Sequence, residues 1–204
     1  MRTIFIIIIS AVLAAAVWFF FLYKKNDEGP KQKPISVSKN SAPFNQSVSD
    51  MMNAYYDLTE AFVNWDSVAI PKNGSLLRQK LDSLRLSEIR KDSTDFFETA
   101  NSIVENARMD AAVIASDSSM LTKRHSLNSL SQNIYDFLRT VRYDQSKLFL
   151  QECPMAFNDT DPGVWLSKAD SIRNPYLGLH HPHYGRGMIN CGNTKDTLNF
   201  RSGK

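Results

Sequence analysis

The sequence predicts an all-α protein: an antiparallel four-helix bundle, an irregular C-terminal segment rich in Cys, Met and His, and a transmembrane anchor in front. Three observations predict it. Residues 3–23 carry no charge, a run of about the ~20 residues that a bilayer-spanning helix needs. Between residues 47 and 150, apolar residues recur every three or four positions, and alternation of strand length is absent. From about residue 152 that period is lost, and both cysteines, three of the four histidines and four of the eight prolines lie beyond it.

The first element is "MRTIFIIIISAVLAAAVWFFFLYKK", residues 1–25. Ala14-Ala15-Ala16 could serve as a cleavage site, but "VWFFFLY" would then open the mature chain with exposed apolar surface. An uncleaved signal-anchor is the expectation, with Trp18, Tyr23, Lys24 and Lys25 at the membrane interface. Arg2 lies on one side, and Lys24, Lys25, Lys31 and Lys33 lie on the other. Counted alone, these charges put the body in the cytoplasm. An N-terminal signal-anchor with a polar linker behind it usually exports the domain attached to it. The expectation is therefore inner-membrane anchoring with the body in the periplasm.

Residues 26–46, "NDEGPKQKPISVSKNSAPFNQ", hold three prolines and few large apolar groups, and read as a flexible tether. The bundle is expected over 47–151. Its first helix presents Met51, Tyr55, Leu58 and Phe62 on one face, capped by Ser47 or Ser49. "PKNG" at 71–74 is expected to break the chain, with Ser75 capping a shorter helix through Leu77, Leu81 and Leu84. "KDSTD" at 91–95 supplies the next cap, before a stripe of Phe96, Ala100, Ile103, Ala107, Ala111 and Ile114. "SDSS" at 116–119 caps the last helix, with Leu127, Leu130, Ile134, Phe137 and Val141 as its stripe. Four amphipathic helices on short links most simply make an antiparallel bundle.

Composition narrows the function classes. The chain has 204 residues, enough for one domain and a tail. Its net charge of +3 comes from Arg2, Lys24 and Lys25, leaving 21 basic against 21 acidic residues from Asn26 onward. A neutral body gives no electrostatic case for nucleic acid. No phosphate loop, His-Glu-x-x-His, nucleophile elbow or Cys-x-x-Cys-His occurs. No enzymatic role is expected; a Cys153 nucleophile with a histidine base has no spacing to favour it.

The segment 152–204 is too long for a plain connection and carries five aromatics, Phe157, Trp165, Tyr176, Tyr184 and Phe200. It reads as an ordered irregular segment docked on the bundle. Trp165 anchors it, and Arg173 in the "IRNPY" turn is placed to pair with a bundle carboxylate. Two sulfur phrases stand out, "ECPMAF" with Cys153 and Met155, and "GMINCG" with Met188 and Cys191. Residues i and i+2 of an extended stretch face one way, and residues i and i+3 converge round a turn. Thiolate and thioether together favour Cu(I), while thiolate with imidazole also suits zinc, the less favoured ion here. The same spacing serves a Cys153–Cys191 disulfide, which outside the cytoplasm would stabilise the segment by roughly 3–4 kcal/mol. Free buried thiols are a third reading. "HHPHYG" adds His180, His181 and His183, imidazoles dense enough to ligate a metal or to form a plain exposed turn. His125, alone among polar residues, reads as structural.

The phrases "CPMAF", "IRNPYLG", "GMINCG" and "DTLNF", with "MMNAYYDLTEAFVNWD" and "LTKRHSLNSLSQNIYDFL" before them, resemble a bacterial extracytoplasmic domain family of unknown function. That family also occurs fused to periplasmic adaptor subunits of copper/silver efflux systems. The resemblance covers roughly residues 47–200. It implies heavy-metal handling, with Cys153, Met155, Met188 and Cys191 as a soft-ligand set for Cu(I) and an efflux adaptor or other envelope protein as partner. Shorter members run from the NPY turn directly to the Met-x-x-Cys phrase, whereas this chain carries the longer form with "HHPHYG" between, so the resemblance does not by itself assign the histidines to the common function. The resulting expectation is a membrane-tethered metal-binding module in metal homeostasis or efflux. The alternative is a disulfide-stapled envelope interaction module without metal.

Overall fold

The computed structural model describes residues 39–91 and 94–201. The expected signal-anchor over 1–25 and most of the tether lie outside the described residues. Among those described, no helix is long and apolar enough to cross a membrane.

Four α-helices come first: α1 (Ala42–Val63), α2 (Ala69–Asp82), α3 (Thr94–Ser116) and α4 (Met120–Thr140), with a 3₁₀ turn at Leu86–Lys91. Successive helices pack on one another. Most of the expected stripes are the core: Met51, Tyr55, Leu58, Phe62, Leu77, Leu81, Leu127, Leu130, Ile134 and Phe137 are all buried, whereas Phe96 and Ile103 of the third stripe are only partly buried. Helix α1 starts earlier than the spacing suggested. Ser41, not Ser47 or Ser49, is its cap and accepts the Phe44 N–H (3.2 Å). Residues 42–46 therefore belong to the bundle and not to the tether, and Phe44 is fully buried.

The expected break at "PKNG" is also corrected, because Pro71 and Gly74 lie inside α2. Pro71 sits in the first turn, where its missing N–H is not needed. Asp66 stands in for a cap, its carboxylate accepting the N–H groups of Val68 (2.9 Å) and Ala69 (2.8 Å). Gly74 marks a close helix crossing: a Cβ there would lie 3.0 Å from Ile114 Cγ2 and 3.1 Å from the Ala115 nitrogen. Ser119 caps α4 as expected, accepting the Thr122 N–H (3.2 Å).

The larger correction concerns the fold class. The protein is not all-α, and the region after the bundle is not without regular structure. It contains a three-stranded antiparallel sheet of order β2-β1-β3, formed by β1 (Leu148–Phe157), β2 (Asp161–Ser167) and β3 (Asn193–Leu198). Strand β1 begins before the boundary expected at 151/152 and carries the first sulfur phrase. It shows no alternation because Leu148, Leu150, Gln151, Cys153, Ala156 and Phe157 are all buried, on both faces of the strand. Its two partners bracket it differently. Strand β2 returns through a turn at Asn158 and Asp159, both in the left-handed region (φ 49° and 61°), whereas β3 arrives from far along the chain.

The sheet and the helices share one apolar core. Strand β2 packs on α4, and helix side chains cover its free edge. Asn128 accepts the Val164 N–H (2.8 Å), and the Tyr55 hydroxyl accepts the Leu166 N–H (3.0 Å). The buried Tyr176 hydroxyl donates to the Val164 carbonyl (2.5 Å). These bonds occupy edge groups that would otherwise be open to pairing with another chain.

Candidate sulfur site

Cys153 sits in β1 opposite Gly163 of β2, fully buried. Beyond it the ladder slips, and Pro154 and Met155 fall in the irregular stretch between Cys153 and Phe157. Proline has no N–H for a ladder, which suits this position. Cys191 comes from the opposite direction. It closes a turn by donating its N–H to the Met188 carbonyl (3.0 Å), so the expected turn between Met188 and Cys191 is present.

Gly192 then enters β3 with φ +132°. A Cβ there would lie 2.6 Å from the Glu152 carbonyl oxygen and 3.1 Å from Trp165. Only glycine combines that backbone with so close an approach to β1. The result is a contact between residues 38 apart in sequence: Cys153 Sγ and Cys191 Sγ are 2.8 Å from one another, both as free cysteines. Cys191 is half-buried. Burial first, and the neighbouring Cys153 second, push its thiol up to about 12. Met155 and Met188 are partly buried against the same core.

The histidines are engaged elsewhere. The His181 and Gly185 backbones bond to each other, and His181 Nδ1 accepts the N–H groups of His183 (3.2 Å) and Tyr184 (3.3 Å). The His181 ring stacks on Tyr184 and meets Trp65 edge-on, with the Arg124 guanidinium over Trp65 at 3.7 Å. Burial and then the Arg124 charge hold the His181 pKa below its ordinary value. His183 packs edge-on to Tyr184, and His180 is exposed. Among the described residues, no group of three or more His, Cys, Asp or Glu side chains could hold an ion together. Among the described residues, no His, Asp or Glu therefore joins the two thiols as a third ligand towards zinc's usual set of four. The donors that do gather are sulfurs, the type Cu(I) prefers.

The supporting residues behave largely as the spacing suggested. Arg173 forks onto Glu60 of α1, with Nε donating at 2.8 Å, and holds that carboxyl below its usual range. Trp165 is buried in β2. His125 stacks on Phe157 with ring centroids 4.1 Å apart. Two buried polar residues do more than the sequence suggested. Gln151 donates to the carbonyls of Ala169 (3.0 Å), Asp170 (3.1 Å) and Ser171 (3.3 Å), and so fixes the chain leaving β2. Asn174 bonds both to the NPY turn and to the Cys191 turn. The Asn-Pro pair signalled the first of these roles, but no local pattern signalled the second.

Residues 51–146 match the family model described as "Protein of unknown function (DUF3347)". The match spans most of α1 through α4 and stops before β1, so it carries the helical half of the resemblance and none of the sulfur site. No curated protein and no solved structure matches the chain.

Proposed function

We propose that this protein is an extracytoplasmic module that binds a soft heavy-metal ion, Cu(I), between Cys153 and Cys191, with Met155 and Met188 as flanking thioether donors. The observation that carries this reading is the thiol pair: two sulfurs from opposite ends of the C-terminal region, 2.8 Å apart, in a setting without imidazole. Thiolates supply charge to a soft cation, and thioethers add affinity without a proton to lose. On this reading the uncharged run 3–23 tethers the module to the inner membrane, and the module buffers the ion or passes it to an envelope partner such as an efflux adaptor. The test is competition of the reduced protein against a Cu(I) chelator. Uptake of a single Cu(I), lost in Cys153→Ser and Cys191→Ser and weakened in Met155→Leu, is expected. No uptake by the reduced wild-type chain would sink the proposal.

A second reading is favoured by the same contact. Thiols this near one another close readily to a disulfide, which would staple β1 to the Met-x-x-Cys turn in an interaction module without metal. Protein isolated in air would then be two hydrogens lighter. Reduction would lower its stability, and Cu(I) would not restore it.

A further inference from the structure

We propose that Asn174 is the positioning residue of the sulfur pair, setting how readily Cys191 meets Cys153; this rests on reading the two thiols as a working pair. Asn174 is fully buried and uses both ends of its amide. Its Oδ1 accepts the N–H groups of Tyr176 (2.8 Å) and Leu177 (3.0 Å), the ordinary work of an Asn in a turn. Its Nδ2 donates to the Cys191 carbonyl (2.9 Å), and its backbone N–H donates to the Ile189 carbonyl (2.8 Å). One residue therefore grips the Met-x-x-Cys turn at two points.

The partner sulfur needs no such clamp. Cys153 lies in the central strand, held by pairing to β2 and by complete burial. Cys191 sits on a half-buried turn outside the strands, so its position is the adjustable one. The fraction of time the sulfurs spend in contact fixes their effective concentration towards each other. Asn174 is bonded directly to the peptide group of Cys191, whose carbonyl oxygen is two bonds from the carbon that bears the side chain. Loss of that bond frees the carbonyl to swing the sulfur away from β1.

A turn-capping role alone makes a different prediction. Asp and Ser both keep an oxygen for the Tyr176 and Leu177 N–H groups, but neither presents an amide donor to Cys191. Under a capping role, Asn174→Asp and Asn174→Ser are therefore harmless to the thiols. Under a positioning role, both loosen the pair while leaving the turn in place. Ser also guards against an Asp variant that fails to fold because its buried charge is unpaired.

The readout is the thiol–disulfide equilibrium with a low-molecular-weight disulfide, oxidised glutathione. The half-exposed Cys191 thiolate attacks one glutathione sulfur and releases the first glutathione thiolate. Cys153 thiolate then attacks the Cys191 sulfur of the mixed disulfide and releases the second. Two protein thiols are oxidised, one glutathione disulfide is reduced to two glutathione thiols, and those thiols take up the two protons.

The 204-residue chain and both variants would be equilibrated across glutathione ratios, trapped by alkylation and weighed, with circular dichroism to establish folding. Folded variants are expected to need a roughly tenfold more oxidising ratio, a potential about 30 mV less negative. Unchanged midpoints in a folded variant overturn the inference. So does a wild-type chain that forms no intramolecular disulfide, since the clamp would then hold nothing together. Cu(I) competition on the reduced wild type reads the proposed function separately. Normal disulfide closure without Cu(I) uptake removes the metal reading and leaves Asn174 in its role.

Discussion

Tyr55 of α1 and Leu166 of β2, 111 residues apart, are joined by a buried hydrogen bond in which the Leu166 N–H donates to the Tyr55 hydroxyl (3.0 Å). That hydroxyl then donates to Ser131 Oγ (2.6 Å), which donates to the Leu127 carbonyl (2.7 Å). One relay ties the first helix, the last helix and the edge of the sheet, and every proton in it has an acceptor. Tyr55→Phe keeps the ring and its packing but leaves the Leu166 N–H without its bond. The expected cost is about 1–3 kcal/mol. A urea unfolding curve checks it: the midpoint should fall without a change in slope, and an unchanged midpoint would show the bond contributes nothing.

Gly192→Ala acts on the seam between β1 and the Cys191 turn. The new Cβ meets the Glu152 carbonyl oxygen at 2.6 Å, and the backbone must hold φ +132° with a side chain present. A loss of roughly 1–3 kcal/mol is expected from the backbone conformation alone. Denaturant unfolding measures the loss. Alkylation of the reduced variant should also label Cys191 faster than in wild type, because the turn can no longer lie flat on the strand.

The sulfur and histidine groups separate cleanly by mutation. Cys153→Ser is expected to abolish Cu(I) uptake, while a variant with His180, His181 and His183 all changed to Ala keeps it. The His181 and His183 imidazoles are engaged with Tyr184, Trp65 and the local backbone and not with the thiols. Chelator competition on both reduced proteins decides the matter, and loss of Cu(I) in the triple-Ala variant would move the site to the histidine hairpin.

Asp110 predicts a pH dependence of stability. Burial raises its pKa from 3.8 to about 6, against the opposing effect of the Asn133 donor at 2.9 Å. The folded state therefore binds the Asp110 proton more tightly than the unfolded chain does. This contribution is fully present below the unfolded pKa and is lost as pH rises through about 6. Glu60 runs the other way: its lowered pKa beside Arg173 adds stability that is lost on acidification. The difference between wild type and Asp110→Asn isolates the first effect. The variant should gain on wild type as pH is raised from about 4 to about 7, and a constant difference in urea midpoints would refute the assignment.

The helices were legible because their signal is local. Met51, Tyr55, Leu58 and Phe62 declare a buried face within a single element, and each is buried where the period put it. The misreadings near them have physical causes. Pro71 looked like a break, but a first-turn proline interrupts no helical bond, and Gly74 looked like a turn, but it is a contact point with α3. The sheet was not legible. "LFLQECPMAF" lacks alternation because helices and chain cover both of its faces, and its pairing with "NTKDTL" leaves no mark in either stretch.

By itself, then, the sequence determined the four helical faces, the single turn that joins Met188 to Cys191, and the chemical softness of four sulfur donors. Each depends on residues within a few positions of one another, where spacing and geometry are the same thing. Tertiary structure alone decided that Cys153 lies in a central strand, that Cys191 rests against it, and that His181 folds onto Trp65 instead of joining them. Those outcomes come from contacts between distant segments. Gly192 seated on Glu152, and Asn174 reaching the Cys191 carbonyl, join stretches whose meeting no local periodicity encodes.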